Sequence, residues 1–218
     1  MKMIDLTHRI TEDMLLFPGT DAPRLERITL IGTRETNLCL NNHLGTHMDS
    51  PAHTEEKGAF LDELPVSRFF GLAVMVDVSQ FRGGSIPADF LKSLDDELKF
   101  CQFLVLNSGY HRLWGEDAYF SGFPILSPEA AEYLASLPEL SGVALDMISV
   151  DPVESQELPI HRILLGAGKL IVENLAHLDQ VEGEHFLLSA MPLRFDRADG
   201  SPIRAVAYQA PAGIYYPR

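Results

Sequence analysis

The sequence predicts an α/β protein with mixed sheets. Three observations carry that expectation: strand-like runs clustered early, alternation of apolar runs with helical periodicity after residue 71, and two more strand-like runs at the end. KMIDLTH, RLERITLIG and the approach NLCLNNH are the early strands. GLAVMVDVS is continuous and β-branched, as in a strand buried on both faces. PADFLKSLDDELK has helical periodicity with Pro87 at its start, and KFCQFLVLNSG reads as a second buried strand. SPEAAEYLASL is the clearest helix, with Ser127 as N-cap, Pro128 as first residue and Glu129 in the first turn. VALDM is a short strand. PIHRILLGAG is a short helix closed by Gly166 or Gly168, and KLIVENL a strand. EHFLLSAMPLRF and IRAVAYQA finish the chain as strands. No repeat, low-complexity segment or linker interrupts residues 1–218, which read as one domain with enough apolar content (46%) for a substantial core.

Charge narrows the partners. A formal net charge of −14, from 17 basic against 31 acidic residues, argues against a nucleic-acid surface and against an anionic membrane. Cys39 and Cys101 each lie in an apolar run and are expected as buried free thiols, which suits a reducing compartment. The N-terminus MKMIDLTHRI is too polar for a signal peptide, and no apolar stretch approaches a membrane span, so a cytoplasmic location is expected.

Chemistry concentrates in HLGTHMDSPAH, residues 43–53, which holds three of the eight histidines and Asp49. Imidazole and carboxylate together suit a divalent transition metal such as Zn²⁺ or Mn²⁺. His43 and His47 are four apart, as on a metal-binding helix, but Gly45, Asp49, Ser50 and Pro51 disfavour one. In an extended strand His47 and Asp49 face the same side, and a turn at Gly45 brings His43 toward the same ion. Two histidines and one carboxylate leave a coordination position for water, whose lowered pKa supplies a hydroxide near neutral pH. His53, beyond Pro51, is then left as a proton shuttle. His161, opening the PIHRILLGAG segment, and Glu173, ending a strand, are candidates for completing the site. Taken alone, each is more ordinary as a helix-terminus or strand-end residue.

The stretch matches HxGTHxDxPxH at every specified position: His43, Gly45, Thr46, His47, Asp49, Pro51 and His53. In this it resembles the metal-dependent cyclase/hydrolase family, which includes bacterial kynurenine formamidases and isatin hydrolases. IDLTHRITEDMLLFPG, VALDMISVDP, IHRILLGAGKLIVENL and MPLRFDRADGSPIRAVA extend the resemblance along the chain. It implies a swivelling β/β/α fold, a homodimer or homotetramer, and one or two divalent ions. By the family pattern His43, His47 and Asp49 bind the first ion, and Asp49, His161 and Glu173 help hold a second. His53 is the general acid/base. Relatives lacking the Glu hold one Mn²⁺, so Glu173 favours the two-zinc form.

The resemblance implies hydrolysis of an amide or lactam C–N bond of arylformamidase type, with N-formylkynurenine or a related aryl amide as substrate. No GxSxG nucleophile motif competes with that reading. Phe17 and Trp114, the one tryptophan, are candidates for stacking an aromatic substrate, and equally for ordinary core or interface roles. Arg112 could hold a substrate carboxylate but is more ordinary as a solvated surface residue. Two other classes stay open: a cyclase or lyase acting on a carbonyl substrate, and a non-catalytic metal- or ligand-binding protein.

Overall fold

The computed structural model describes residues 2–209. In chain order the strands are β1 (Lys2–Asp5), β2 (Arg24–Leu30), β3 (Thr33–Cys39), β4 (His47–Asp49), β5 (Phe70–Asp77), β6 (Ser85–Ile86), β7 (Phe103–Asn107), β8 (Ile125–Leu126), β9 (Gly142–Leu145), β10 (Leu170–Glu173), β11 (His185–Pro192) and β12 (Gly200–Gln209). The α-helices are α1 (Ala88–Lys92), α2 (Asp95–Leu98), α3 (Pro128–Ser136) and α4 (Pro159–Gly166). The main sheet runs β1-β12-β11-β5-β7-β9-β10-β4, and a further β12–β4 pairing closes its last seven strands into a barrel-like ring. Neighbours from β5 through β10 run parallel and the rest antiparallel, so the sheet is mixed as expected.

Alternation along the parallel strands divides the core in two. Leu104, Leu106, Val143, Leu145 and Ile171 point toward the helices, where they meet Leu91, Ala130, Leu134 and Leu164. Phe103, Val105, Ala144, Leu170 and Val172 point to the opposite face, with Met48, Phe186, Leu188, Ala205 and Ala207. Strands buried on both faces carry near-continuous apolar sequence, which is why these runs were legible. The Ser127 hydroxyl caps α3 by accepting from Ala130 N–H at 3.2 Å. Gly168, with φ +76°, follows the end of α4.

Three sequence expectations change. PADFLKSLDDELK forms two short helices, because Leu94 leaves helical geometry (φ −104°, ψ 13°) and the Ser93 hydroxyl turns back to the Phe90 carbonyl at 2.6 Å. RLERITLIG and the next run make one β2–β3 hairpin, turning at Ile31 (φ +49°) and Gly32 (φ +77°). Cys39 lies on that hairpin and is exposed, whereas Cys101 is buried as expected and its thiol is pushed up to about 12 by burial. Ala210, the last residue of the expected closing strand, lies outside the described residues. Among the described residues no helix is long and apolar enough to cross a membrane.

Candidate metal centre

The site forms where the ring closes. β4 lies between β10 and β12, with His47 paired to Glu173 on one side and Asp49 paired to Gly200 on the other. Strand alternation sends Met48 into the core and leaves His47 and Asp49 on one face. Gly45 sets the turn before them. Its φ is +58°, and a Cβ there would sit 2.7 Å from the Met14 methyl, so the position takes glycine. On β12, a Cβ on Gly200 would clash with the His43 ring, 2.3 Å from Cε1 and 2.6 Å from Nε2.

Each imidazole is aimed by a specific partner. His47 Nδ1 donates to the Gly45 carbonyl at 2.8 Å, which turns Nε2 toward Asp49 Oδ1 (3.4 Å) and Glu173 Oε2 (3.5 Å). His161, in the first turn of α4, donates from Nδ1 to Asp151 Oδ2 at 2.7 Å. The same carboxylate accepts Ile160 and His161 N–H at 3.0 Å each, fixing the start of the helix. His161 Nε2 therefore faces Glu173 Oε1 (3.4 Å) and Asp49 Oδ2 (3.8 Å). His43 bridges two carboxylates, Asp49 through Nδ1 at 2.7 Å and Asp199 through Nε2 at 3.0 Å. His53 ends the 3₁₀ turn Pro51–His53, with its ring 4.0 Å from that of His43 and Nδ1 3.5 Å from Asp199 Oδ2.

This donor set fits a divalent cation. Asp49 and Glu173 are buried, and Glu173 Oε1 finds no hydrogen-bond partner among the described residues. Buried carboxylates need compensating positive charge. One ligand atom each from His47, Asp49 and Glu173 lies within 4.8 Å of the others, and the same holds for His43, Asp49 and His53. These groups share Asp49 but cut across the pairings that the resemblance implies.

The electrostatics show the same demand. Burial opposes charge on His43, but Asp49 and Asp199 outweigh it and raise the imidazole to about 10. Burial also opposes charge on His161, and there Asp151 and Glu173 prevail, again to about 10. His47 is raised by Asp49 against its own burial. Asp49 is held well below the carboxylate range by His47 and His43 despite burial, and Asp199 falls to about 2 through its bond to His43. His53 moves the other way, lowered chiefly by burial.

All eight sequence-derived candidates line one cavity of about 340 Å³: His43, His47, Asp49, His53, His161, Glu173, Phe17 and Trp114. Leu15, Leu16, Leu44 and Ile148 supply its apolar wall. Trp114 stacks on His8 with centroids 3.8 Å apart and planes 10° from parallel. Arg112 stands outside this cavity, its side chain 64% exposed and 3.9 Å from Asp179. Sequence reasoning missed Asp151, Asp199, Asn174 and His8. Asp199 sits at a bend just before β12, 156 positions from His43, so spacing gives no sign of the contact. Asp151 lies well before α4, whose N-cap is Leu158, so no capping pattern marks it in the sequence.

A closed mixed sheet with a histidine–carboxylate cavity at the seam defines a class of α/β enzyme. The family model described as "Putative cyclase" matches residues 4–152, and the chain belongs to that family. It is 29% identical to a kynurenine formamidase of Salinibacter ruber over 216 residues, covering 97% of this chain and 99% of the relative. An isatin hydrolase bound to the product analogue thioisatinate superposes with a TM-score of 0.82 at 24% identity, covering 94% of this chain and 91% of the other, and shows the shared fold. A potential metal-dependent hydrolase with cyclase activity superposes at 0.79 and 26% identity, covering 94% and 96%. The relatives place the protein among the hydrolases.

Proposed function

We propose that the protein is a metal-dependent amidohydrolase of arylformamidase type, cleaving an aryl N-formyl amide such as N-formylkynurenine to the free amine and formate. The observation that carries this reading is one cavity in which four imidazoles and two buried carboxylates face an aromatic and apolar wall. His43, His47 and Asp49 would hold one divalent ion, and Asp49, His161 and Glu173 a second; imidazole-rich ligands favour Zn²⁺, with Mn²⁺ as alternative. When bound, the ion supplies Lewis-acid polarisation of the carbonyl and a lowered pKa for water.

The chain's own residues do the rest. Phe17 and Trp114 flank an aromatic ring, and His8 behind Trp114 fixes the indole plane. The apolar wall excludes bulk water, which strengthens every charge interaction inside. His53, kept neutral by burial, accepts the proton of the attacking water and delivers it to the departing nitrogen. Asp199, beside His53 Nδ1, favours the ring orientation that exposes Nε2.

The exposed hairpin supports a homodimer or homotetramer, since an isolated two-stranded sheet is marginal in water and Leu30, Ile31 and Leu38 are 51%, 96% and 63% exposed. Free cysteines support a cytoplasmic location, and a main sheet that pairs β1 with β12 from opposite ends of the described chain supports one domain. The test measures formate release from N-formylkynurenine, ring opening of isatin and cleavage of simple esters, with metal-loaded and metal-stripped protein. Metal-dependent formate release that His53→Ala abolishes is the expected result. Turnover of a keto acid with no amide or lactam cleaved would replace this reading with the cyclase or lyase one. Stoichiometric metal without turnover would leave a binding protein.

A further inference from the structure

We propose that Asn174 is a positioning residue for the metal centre: its amide anchors the Gly45 carbonyl on which His47 is oriented, and Tyr119 anchors the amide. The inference rests on the metal-centre reading above and goes beyond it, because it concerns a side chain that is not among the proposed ligands.

Asn174 follows Glu173 directly at the end of β10 and adopts φ +59°, a region that asparagine enters more readily than most residues. Its side chain is buried, and both its polar atoms have partners. Nδ2 donates to the Gly45 carbonyl at 2.9 Å, and Oδ1 accepts the Tyr119 hydroxyl at 2.8 Å. The backbone carbonyl of the same residue accepts the Thr46 hydroxyl at 2.6 Å, so both sides of Asn174 grip the segment that leads into His47.

Donor and acceptor logic leaves one orientation for the amide. A carbonyl oxygen only accepts, so the NH₂ group must face Gly45 and Oδ1 must face Tyr119. The Gly45 carbonyl then receives a second hydrogen, from His47 Nδ1 at 2.8 Å. His47 thus keeps its proton on Nδ1 and turns Nε2 to Asp49 and Glu173, the direction a ligand needs. Tyr119 is fully buried, and its phenol is held far above the ordinary range by burial, so it stays a donor. The chain Tyr119–Asn174–Gly45–His47 runs through buried groups throughout. Were it only a satisfied core network, its loss would lower stability without a specific effect on the metal.

Zinc affinity separates the two roles. It is measured by competition with a coloured chelator, at a temperature where circular dichroism shows each metal-free protein folded. The set is wild type, Asn174→Gly, Tyr119→Phe and Ser108→Ala; glycine tolerates the left-handed backbone, and Ser108→Ala removes one buried hydroxyl bond, to the Asp146 carboxylate, that the chain from Tyr119 to His47 does not use. We expect affinity about 10–100-fold weaker in Asn174→Gly, the range for losing a partner that orients a ligand. Tyr119→Phe should fall between that variant and wild type, and Ser108→Ala should match wild type. In the zinc-loaded protein the His47 Nδ1–H resonance should shift in Asn174→Gly and persist in Ser108→Ala. Wild-type affinity in Asn174→Gly, or an equal loss in Ser108→Ala, overturns the inference and leaves the metal centre standing. Failure of wild type to bind zinc overturns both.

Discussion

His53 differs from the other three site histidines in the direction in which its surroundings push it. His43 and His161 are drawn up to about 10 by carboxylates, whereas burial leaves His53 lowered and neutral near pH 7. A neutral imidazole can take a proton that an imidazolium cannot, which suits His53 to the acid/base role proposed for it. His53→Ala should lower kcat/KM by about 10²–10⁴-fold, the usual worth of a positioned acid/base, with zinc content unchanged by elemental analysis. His8 is a second case. Burial holds it down to about 4, against 6.5 when unfolded. Between those values the unfolded chain binds a proton that the folded chain does not, so stability falls as pH drops through that window. The slope is at most about 1 kcal/mol per pH unit, discounted for partial exposure. Urea denaturation from pH 7 to 4 should show a shallower acid loss in His8→Gln than in wild type. The ligand candidates were legible because HLGTHMDSPAH concentrates them locally. Asp199 and Asn174 act across contacts that no local pattern encodes.

At the scale of elements, the ring closure on β4 and the exposed β2–β3 hairpin matter most. Gly200 sits on β12 against the His43 ring, so Gly200→Ala should push that ring off Asp49. Zinc affinity and activity should fall about tenfold or more while circular dichroism stays native, as for lost ligand orientation. The hairpin presents Leu30, Ile31 and Leu38 to solvent, and β3 is exposed throughout within one chain. The oligomer proposed above predicts that Ile31→Lys combined with Leu38→Lys lowers the mass measured by sedimentation. The buried strands β7, β9 and β10 were readable because both faces are apolar. The break between α1 and α2 was not, because Ser93 and Leu94 fit a helical period and only the backbone reveals the kink.

For the whole molecule, metal, charge and stability are linked. In the metal-free chain Asp49, Asp151, Asp199 and Glu173 favour the protonated forms of His43, His47 and His161. A cation replaces those protons, so zinc affinity should rise with pH through the neutral range, and binding should release protons. Calorimetric titration in two buffers of different ionisation enthalpy would detect that release. Removing the ion should lower the thermal midpoint, since a ligand at a thousandfold excess over Kd stabilises by about 4 kcal/mol. The most direct measurement of the central claim is formate release from N-formylkynurenine by protein whose metal content is known from elemental analysis. The metal-centre account predicts turnover proportional to bound divalent ion, lost on chelation and restored by zinc. Full turnover by protein free of any divalent ion would contradict it.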